Sequence, residues 1–230
     1  MARNSTVILL SLGTNRFLYR ESRQNMRFSL LRATVSQNKK QWIDAIEQLP
    51  IERQDVYFSP EYLLAYANSE DIEACCAVYT NGDAILIYPF LLAAIQTTEA
   101  QDTINLKDIQ SPYGYSGPVV NYPGEDPEFL REAWSQFSDW CSTEHVVCEF
   151  IRFHPLLDNV RWASESMKTF KDRLTIPIKL EDYPKTVQDS SYFRKHRQML
   201  NKAERMGYTF HAIPAQDELS WFVPLYLETQ

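Results

Sequence analysis

The chain has 230 residues, enough for one or two domains with a sizeable core. Hydrophobic residues make up 44% and charged residues 23%, which excludes disorder as the dominant state. A formal net charge of −7 gives the chain as a whole no attraction to DNA or an anionic membrane, so only a local basic patch can serve an anionic ligand. The cysteines, Cys75, Cys76, Cys141 and Cys148, show no disulfide spacing and predict a reducing, cytoplasmic setting. The apolar run Val7 to Leu10 is too short to span a bilayer, and no small-residue cleavage site follows it. Neither a transmembrane segment nor a signal peptide is expected.

In chain order, residues 1–25 read as a tail or an edge segment. Met26 to Thr34 reads as a first strand. Ser36 is positioned to cap a helix over Lys39 to Leu49, with Trp42, Ile43 and Ile46 on its buried face and Pro50 as its stop. Asp55 to Ala67 reads as an aromatic loop and a second helix, with Pro60 and Glu61 in the first turn. Glu73 to Thr80 and Ala84 to Ile95 are predicted strands joined by Asn81-Gly82-Asp83, a hairpin signal. A strand or loop follows over Asp108 to Val120. Asp126-Pro127-Glu128 opens a helix whose spacing of Phe129, Leu130, Ala133, Trp134, Phe137, Trp140 and Cys141 predicts a core-facing stripe. Val146 to Phe153, apolar on both faces, reads as a covered central strand.

Thr175 to Leu180 is a further predicted strand. A helix from Gln188 to Met206 ends at Gly207, a strand spans Tyr208 to Ile213, and a last helix begins at Asp217. The sequence stops inside that helix, which predicts a chain continuing past Gln230. This order of elements predicts an α/β (α+β) architecture with a mixed, partly antiparallel sheet.

Three constellations carry chemistry. Ser111 to Pro118 (SPYGYSGP) concentrates two of the six glycines together with two tyrosines. Glycine lets backbone approach a ligand closely, and tyrosine offers a flat face with a polar tip. The segment reads equally as the wall of a cleft for a polar, extended substrate or as an ordinary packed turn. It lacks the G-x-S-x-G spacing of a nucleophilic serine. Second, Arg152 alternates onto the strand face of Cys148, Phe150 and His154. Its permanent charge needs an internal carboxylate or a ligand's carboxylate or phosphate. His154 reads first as a strand-end hydrogen-bonder and second as a general base. Third, the stretch Ser191 to Met206 places Arg194, Arg197, Lys202 and Arg205 on one helical side and Tyr192, Phe193, Met199, Leu200, Ala203 and Met206 on the other. Such a basic stripe is either a solvated face or a binding surface for phosphate or an RNA backbone. No Walker loop, dinucleotide fingerprint or zinc motif is present. The spacing Cys141, His145, Cys148 spans a core helix and a buried strand, so no metal is expected.

Four segments together resemble the FemAB-like family of the GNAT N-acyltransferase superfamily. They are Asp55 to Tyr62 (DVYFSPEY), Asp108 to Pro118 (DIQSPYGYSGP), Glu149 to Pro155 (EFIRFHP) with Asn159, and the helix with Arg194, Arg197, Lys202-Ala203 and Gly207. The resemblance runs from about Trp42 to the end. It implies a GNAT-like lobe over 26–183, then a basic helix and the start of a second lobe over 184–230. It also implies acyl or aminoacyl transfer to an amine of a cell-envelope, peptidoglycan-type or amino-sugar acceptor. The donor would be acyl-CoA or aminoacyl-tRNA, bound mainly by the remainder of the second lobe. The substrate-binding residues would be Tyr113, Gly114, Tyr115, Gly117, Arg152, His154, Arg194, Arg197 and Lys202. No catalytic residue stands out, and no cofactor is expected in this chain. The competing expectation is a non-catalytic module of the same fold that binds an anionic glycan or nucleotide-sugar. A third assigns the basic helix to a tRNA donor.

Overall fold

The apolar runs assemble into one mixed sheet. A computed structural model describes residues 3–11, 26–96, 105–175, 194–209, 211 and 222–229. Its strands are β1 (Arg3–Ser11), β2 (Met26–Arg32), β3 (Ile72–Asn81), β4 (Ala84–Ala94), β5 (Lys107–Gln110), β6 (Val119–Val120), β7 (Val146–Arg152) and β8 (Thr169–Thr175). They lie in the order β2-β3-β4-β5-β7-β1-β8, with β6 beside β4. Neighbours are antiparallel except β5 and β7, which run parallel. The mixed α/β architecture expected from the order of elements is the one observed. The chain divides into two compact units, Met1–Pro177 and Ile178–Gln230. Among the described residues no helix is long and apolar enough to cross a membrane.

Strands β3 and β4 are buried without a break over Ala74–Tyr79 and Ala84–Leu92, so both faces of the sheet are covered there. Helix α1 (Ser36–Glu47), helix α2 (Pro60–Leu64) and helix α3 (Pro127–Thr143) supply the cover. Asp126 caps α3 by accepting from the Phe129 N–H at 2.9 Å, and Pro127 occupies the first helical position. The buried stripe Phe129, Ala133, Trp134, Phe137 and Cys141 then meets the rings of Tyr79, Tyr88 and Phe90. Those rings point to one face of the sheet. On the other face, α1 is fixed by fully buried Trp42, whose Nε1 donates to the Phe58 carbonyl at 2.9 Å. Ser36 lies within α1 and does not cap it: the residue before the helix is Val35, which has no side chain able to cap. Ile43, expected inside, is exposed. Trp42 and Ala45 are the buried residues of α1, and Ile46 is half-buried.

A second clamp sits where the loop after α1 meets β6. Arg53 is 6% exposed. It donates to the Val120 carbonyl at 2.6 Å and to Glu125 at 2.5 Å. Its guanidinium lies over the rings of Tyr122 and Trp162, 4.4 and 4.8 Å from their centroids. Arg161 approaches the same Trp162 ring and the same Glu125. Planar, delocalised charge stacked on aromatic rings is arrangement that lysine cannot reproduce.

The first residues are not at an edge. β1 pairs with β7 on one side and with β8 on the other, so it lies inside the sheet. β8, an element absent from the sequence reading, ends at Thr175, and residues 176–180 of the strand expected there lie outside the described residues. In the second unit, α4 (Arg194–Arg205) falls within the expected Gln188–Met206 helix, whose residues 188–193 lie outside the described residues. Its end is closed by bonds from the Tyr208 N–H to the Ala203 carbonyl and from the Gly207 N–H to the Glu204 carbonyl, a Schellman arrangement. Tyr208, Thr209 and His211 carry no strand, and residues 210, 212 and 213 of that expected strand are outside the described residues. The last helix is α5 (Phe222–Glu228), and residues 217–221 and 230 of the helix expected from Asp217 are outside the described residues.

Candidate functional site

Parallel strands β5 and β7 stay paired only as far as Gln110 and Phe150. Beyond that point the Ser111 N–H still reaches the Phe150 carbonyl at 3.0 Å, and the Ser111 hydroxyl accepts from the Arg152 N–H at 2.8 Å. The chain then leaves the sheet through Pro112 to Tyr115. It returns at Ser116, whose N–H donates to the Arg152 carbonyl at 2.8 Å and which bridges to Phe153. Five residues, 111–115, thus stand opposite Ile151 and Arg152. The sheet opens at the carboxyl ends of a parallel pair, the place where α/β sheets usually present a crevice to ligands.

The return of this loop is locked by Asn159, which is fully buried. Its amide donates to the carbonyls of Ser116 and Pro118 at 2.9 and 3.2 Å, and its oxygen accepts from the His154 N–H at 2.9 Å. Ser116, also fully buried, sends its hydroxyl to the Pro89 carbonyl. Gly117 passes over this knot with φ of +103°. A Cβ there would meet Asn159 Nδ2 at 2.7 Å and Phe153 Cδ1 at 2.8 Å.

The outward part of the loop rests on the aromatic segment before α2. Asp55 caps the turn Val56–Phe58 by accepting from the Tyr57 N–H, and Ser59 caps α2 by accepting from the Tyr62 N–H. Tyr57 is thereby held beneath Gly114, whose φ is +94° and whose missing Cβ would strike the Tyr57 ring. Tyr57 also packs edge-on against Tyr62 and Tyr115, at 5.0 and 5.4 Å between centroids. Burial raises the Tyr57 and Tyr62 hydroxyls above their ordinary values, so both rings act as neutral surfaces. The Tyr62 hydroxyl donates to the Tyr113 carbonyl at 2.6 Å. Tyr62→Phe deletes that tether and is expected to cost about 1 kcal/mol. Hydrogen exchange should show faster exchange of the Ser116 amide, which is bonded to the Arg152 carbonyl, with the core amides unchanged. Equal exchange in the loop would mean that the tether is idle.

His154 is 4% exposed. Its Nδ1 accepts from the Leu156 N–H at 3.3 Å, which assigns the ring proton to Nε2, facing Asp55 at 3.3 Å. The hydrogen bond from His154 holds the Asp55 carboxyl below its ordinary range, helped by the Tyr57 N–H and opposed by burial. Both ring nitrogens are therefore engaged, as the strand-end reading expected. His154 positions the tyrosines and the loop, and offers no free nitrogen to a substrate.

Arg152 lies on the half-buried side of β7 with Cys148 and Phe150. Among the described residues its guanidinium has no hydrogen-bond or ion-pair partner, so the internal carboxylate considered for it is not there. The N–H groups of Tyr113, Gly114, Tyr115 and Gly117 likewise donate to no acceptor among the described residues. Tyr113 is 75% exposed and Tyr115 half-buried. The first unit therefore brings together Tyr113, Gly114, Tyr115, Gly117, Arg152 and His154. Arg194, Arg197 and Lys202 belong to the second unit, where Lys202 and Arg205 are exposed opposite Met199 and half-buried Ala203 on α4. Comparisons with protein-family models, curated proteins and solved structures found no match. The chemistry of the site thus rests on its own groups: N–H donors and a cation unpartnered among the described residues, and a tyrosine floor.

Asp55, Tyr57, Tyr62 and Asn159 build the site, although in the linear sequence they stand only within the segments that carry the resemblance, with no role of their own. Their signals are the two capping positions Asp55 and Ser59 around Val56-Tyr57-Phe58, and the two glycines that need something close beneath them. Among the described residues no group of three or more His, Cys, Asp or Glu is placed to hold a metal. Cys75, Cys76, Cys141 and Cys148 are unbridged, and burial pushes each thiol up, Cys75 to about 12.

Proposed function

We propose that this chain contains the acceptor-binding part of a FemAB-like, GNAT-type N-acyltransferase. The reaction would transfer an acyl or aminoacyl group from acyl-CoA or aminoacyl-tRNA to an amine of a peptidoglycan-type, cell-envelope or amino-sugar acceptor. The observation that carries this reading is the pairing of donors and a cation that are unclaimed among the described residues: four loop N–H groups and Arg152 at the opening between β5 and β7. Attack of a neutral amine nitrogen on the acyl carbonyl moves the π electrons onto oxygen. Fixed N–H groups stabilise that oxyanion, and collapse expels the donor's thiolate or ribose oxygen while the amine proton is lost. Such a site needs no side-chain nucleophile. Arg152 would hold a carboxylate or phosphate of the acceptor, and the tyrosines its apolar and sugar faces. The cations of α4, Arg194, Arg197 and Lys202, would serve a phosphate-rich substrate. The unbridged thiols suit a cytoplasmic location.

One observation favours the second reading, a binding module without catalysis. The histidine nearest the loop is committed to Asp55 and Leu156, so it is not poised to deprotonate an amine. Calorimetric titration with a muropeptide and with a nucleotide-sugar, alongside mass spectrometry for an acylated product, separates the two. Arg152→Ala is expected to weaken acceptor binding, and Arg194→Ala binding of the phosphate-rich substrate, each about tenfold or more with the fold intact. Unchanged affinity in both variants would remove the arginines from substrate binding. Binding without product in the presence of either donor would select the module. A steep fall of donor binding with salt would point to tRNA.

A further inference from the structure

Glu149 sits in the middle of β7, on the face turned to α3, and is 3% exposed. The positions paired with it on the flanking strands are Ile109 of β5 and Leu10 of β1. From β4, the Tyr88 hydroxyl donates to Glu149 Oε1 at 2.6 Å. From α3, the group facing it is the Cys141 thiol. Within β7, Cys148 is its titratable neighbour, on the opposite face. Among the described residues no lysine, arginine or histidine bonds to it. A carboxylate in such a place would hold a full charge against one neutral hydroxyl and aromatic rings.

We infer that Glu149 is a proton-operated element of the core: neutral, it lets α3 pack on β4 and β7, and ionised, it loosens that packing. Burial pushes its carboxyl up to about 7, while the Tyr88 hydroxyl pulls the other way by favouring the charged form. In the unfolded chain the group titrates near its ordinary value of 4.5. Between those limits the folded chain keeps a proton that the unfolded chain releases. The stabilising contribution is therefore complete below about pH 4.5 and is lost as pH rises through about 7. The effect reaches the loop site through one strand. Phe150, which follows Glu149 directly on β7, and Arg152, three residues on, anchor Ser111 and Ser116 through their backbone groups.

The test is urea unfolding of the full chain and of Glu149→Gln across pH 5 to 8.5. Glutamine keeps an oxygen for Tyr88 and cannot ionise, so the difference between the two proteins cancels the histidines. The unfolding constant of the wild type is expected to rise roughly 100-fold relative to the variant over that range, bending near pH 7. Hydrogen exchange in α3 and β7, corrected for intrinsic rates, should quicken above pH 7 in the wild type alone. Tyr88→Phe serves as the second variant. Losing the donor that favours the carboxylate should move the bend to higher pH. A difference that stays flat with pH, or a bend that moves to lower pH in Tyr88→Phe, would overturn the inference.

Discussion

Gly117→Ala is expected to destabilise the first unit by about 3–5 kcal/mol, more than a surface loop substitution normally does. Two costs add. The backbone at φ +103° is open to glycine and strained for any residue with a Cβ. The added methyl would also press on Asn159 Nδ2 and Phe153 Cδ1, and both are buried. Asn159 has nowhere to retreat, because it holds the carbonyls of Ser116 and Pro118 and the N–H of His154 at once. The variant should therefore lose loop order together with stability, measured as a lower urea midpoint and faster exchange of the Ser116 amide. A cost below about 1 kcal/mol would mean that the loop adjusts freely, and the preformed site would go with it.

Arg53→Ala should cost about 2–4 kcal/mol, mostly from a buried carbonyl left unpaired and the packing lost when a buried side chain is truncated, since Glu125 itself is exposed. The Val120 carbonyl loses its donor, Glu125 keeps only Arg161, and the rings of Tyr122 and Trp162 face a void. Arg53→Lys is the sharper probe. It preserves the charge but cannot bond Val120 and Glu125 as a planar fork or stack between rings, so it should recover less than half of the loss. Chemical denaturation of the three proteins reads this directly. Full recovery by lysine would reduce the clamp to a simple ion pair.

The legible parts of the fold were those written in local chemistry. The cap and proline at Asp126-Pro127, the stripe from Phe129 to Cys141 and the Asn81 to Asp83 hairpin each depend on neighbours in sequence, and each stands where expected. Ile43 and Ser36 failed because the burial and cap of α1 are set by its approach to Phe58, a contact 16 residues from Trp42. β1 and β8 escaped for the same reason: each is stabilised by partners far along the chain, and β8 is largely exposed. At the site, the glycines and tyrosines announced themselves by composition. What lies beneath them, Tyr57 and Asn159, did not, since a tyrosine or asparagine reads the same whether it packs under a glycine or faces water.

The placement of β1 bears on how the sheet is completed. Its partners are Cys148 to Arg152 on one side and Thr169 to Thr175 on the other, so this segment has no docking groove until strands more than 130 residues further along exist. The hairpin of β3 and β4 forms from contiguous chain and needs no such delay. Assembly is thus expected to run from the middle outward, with a slow closing step whose barrier reflects the entropy of joining the two ends. Until that step, the free flank of β7 is an unpaired ribbon, and recombinant material lacking β1 would expose it to self-association.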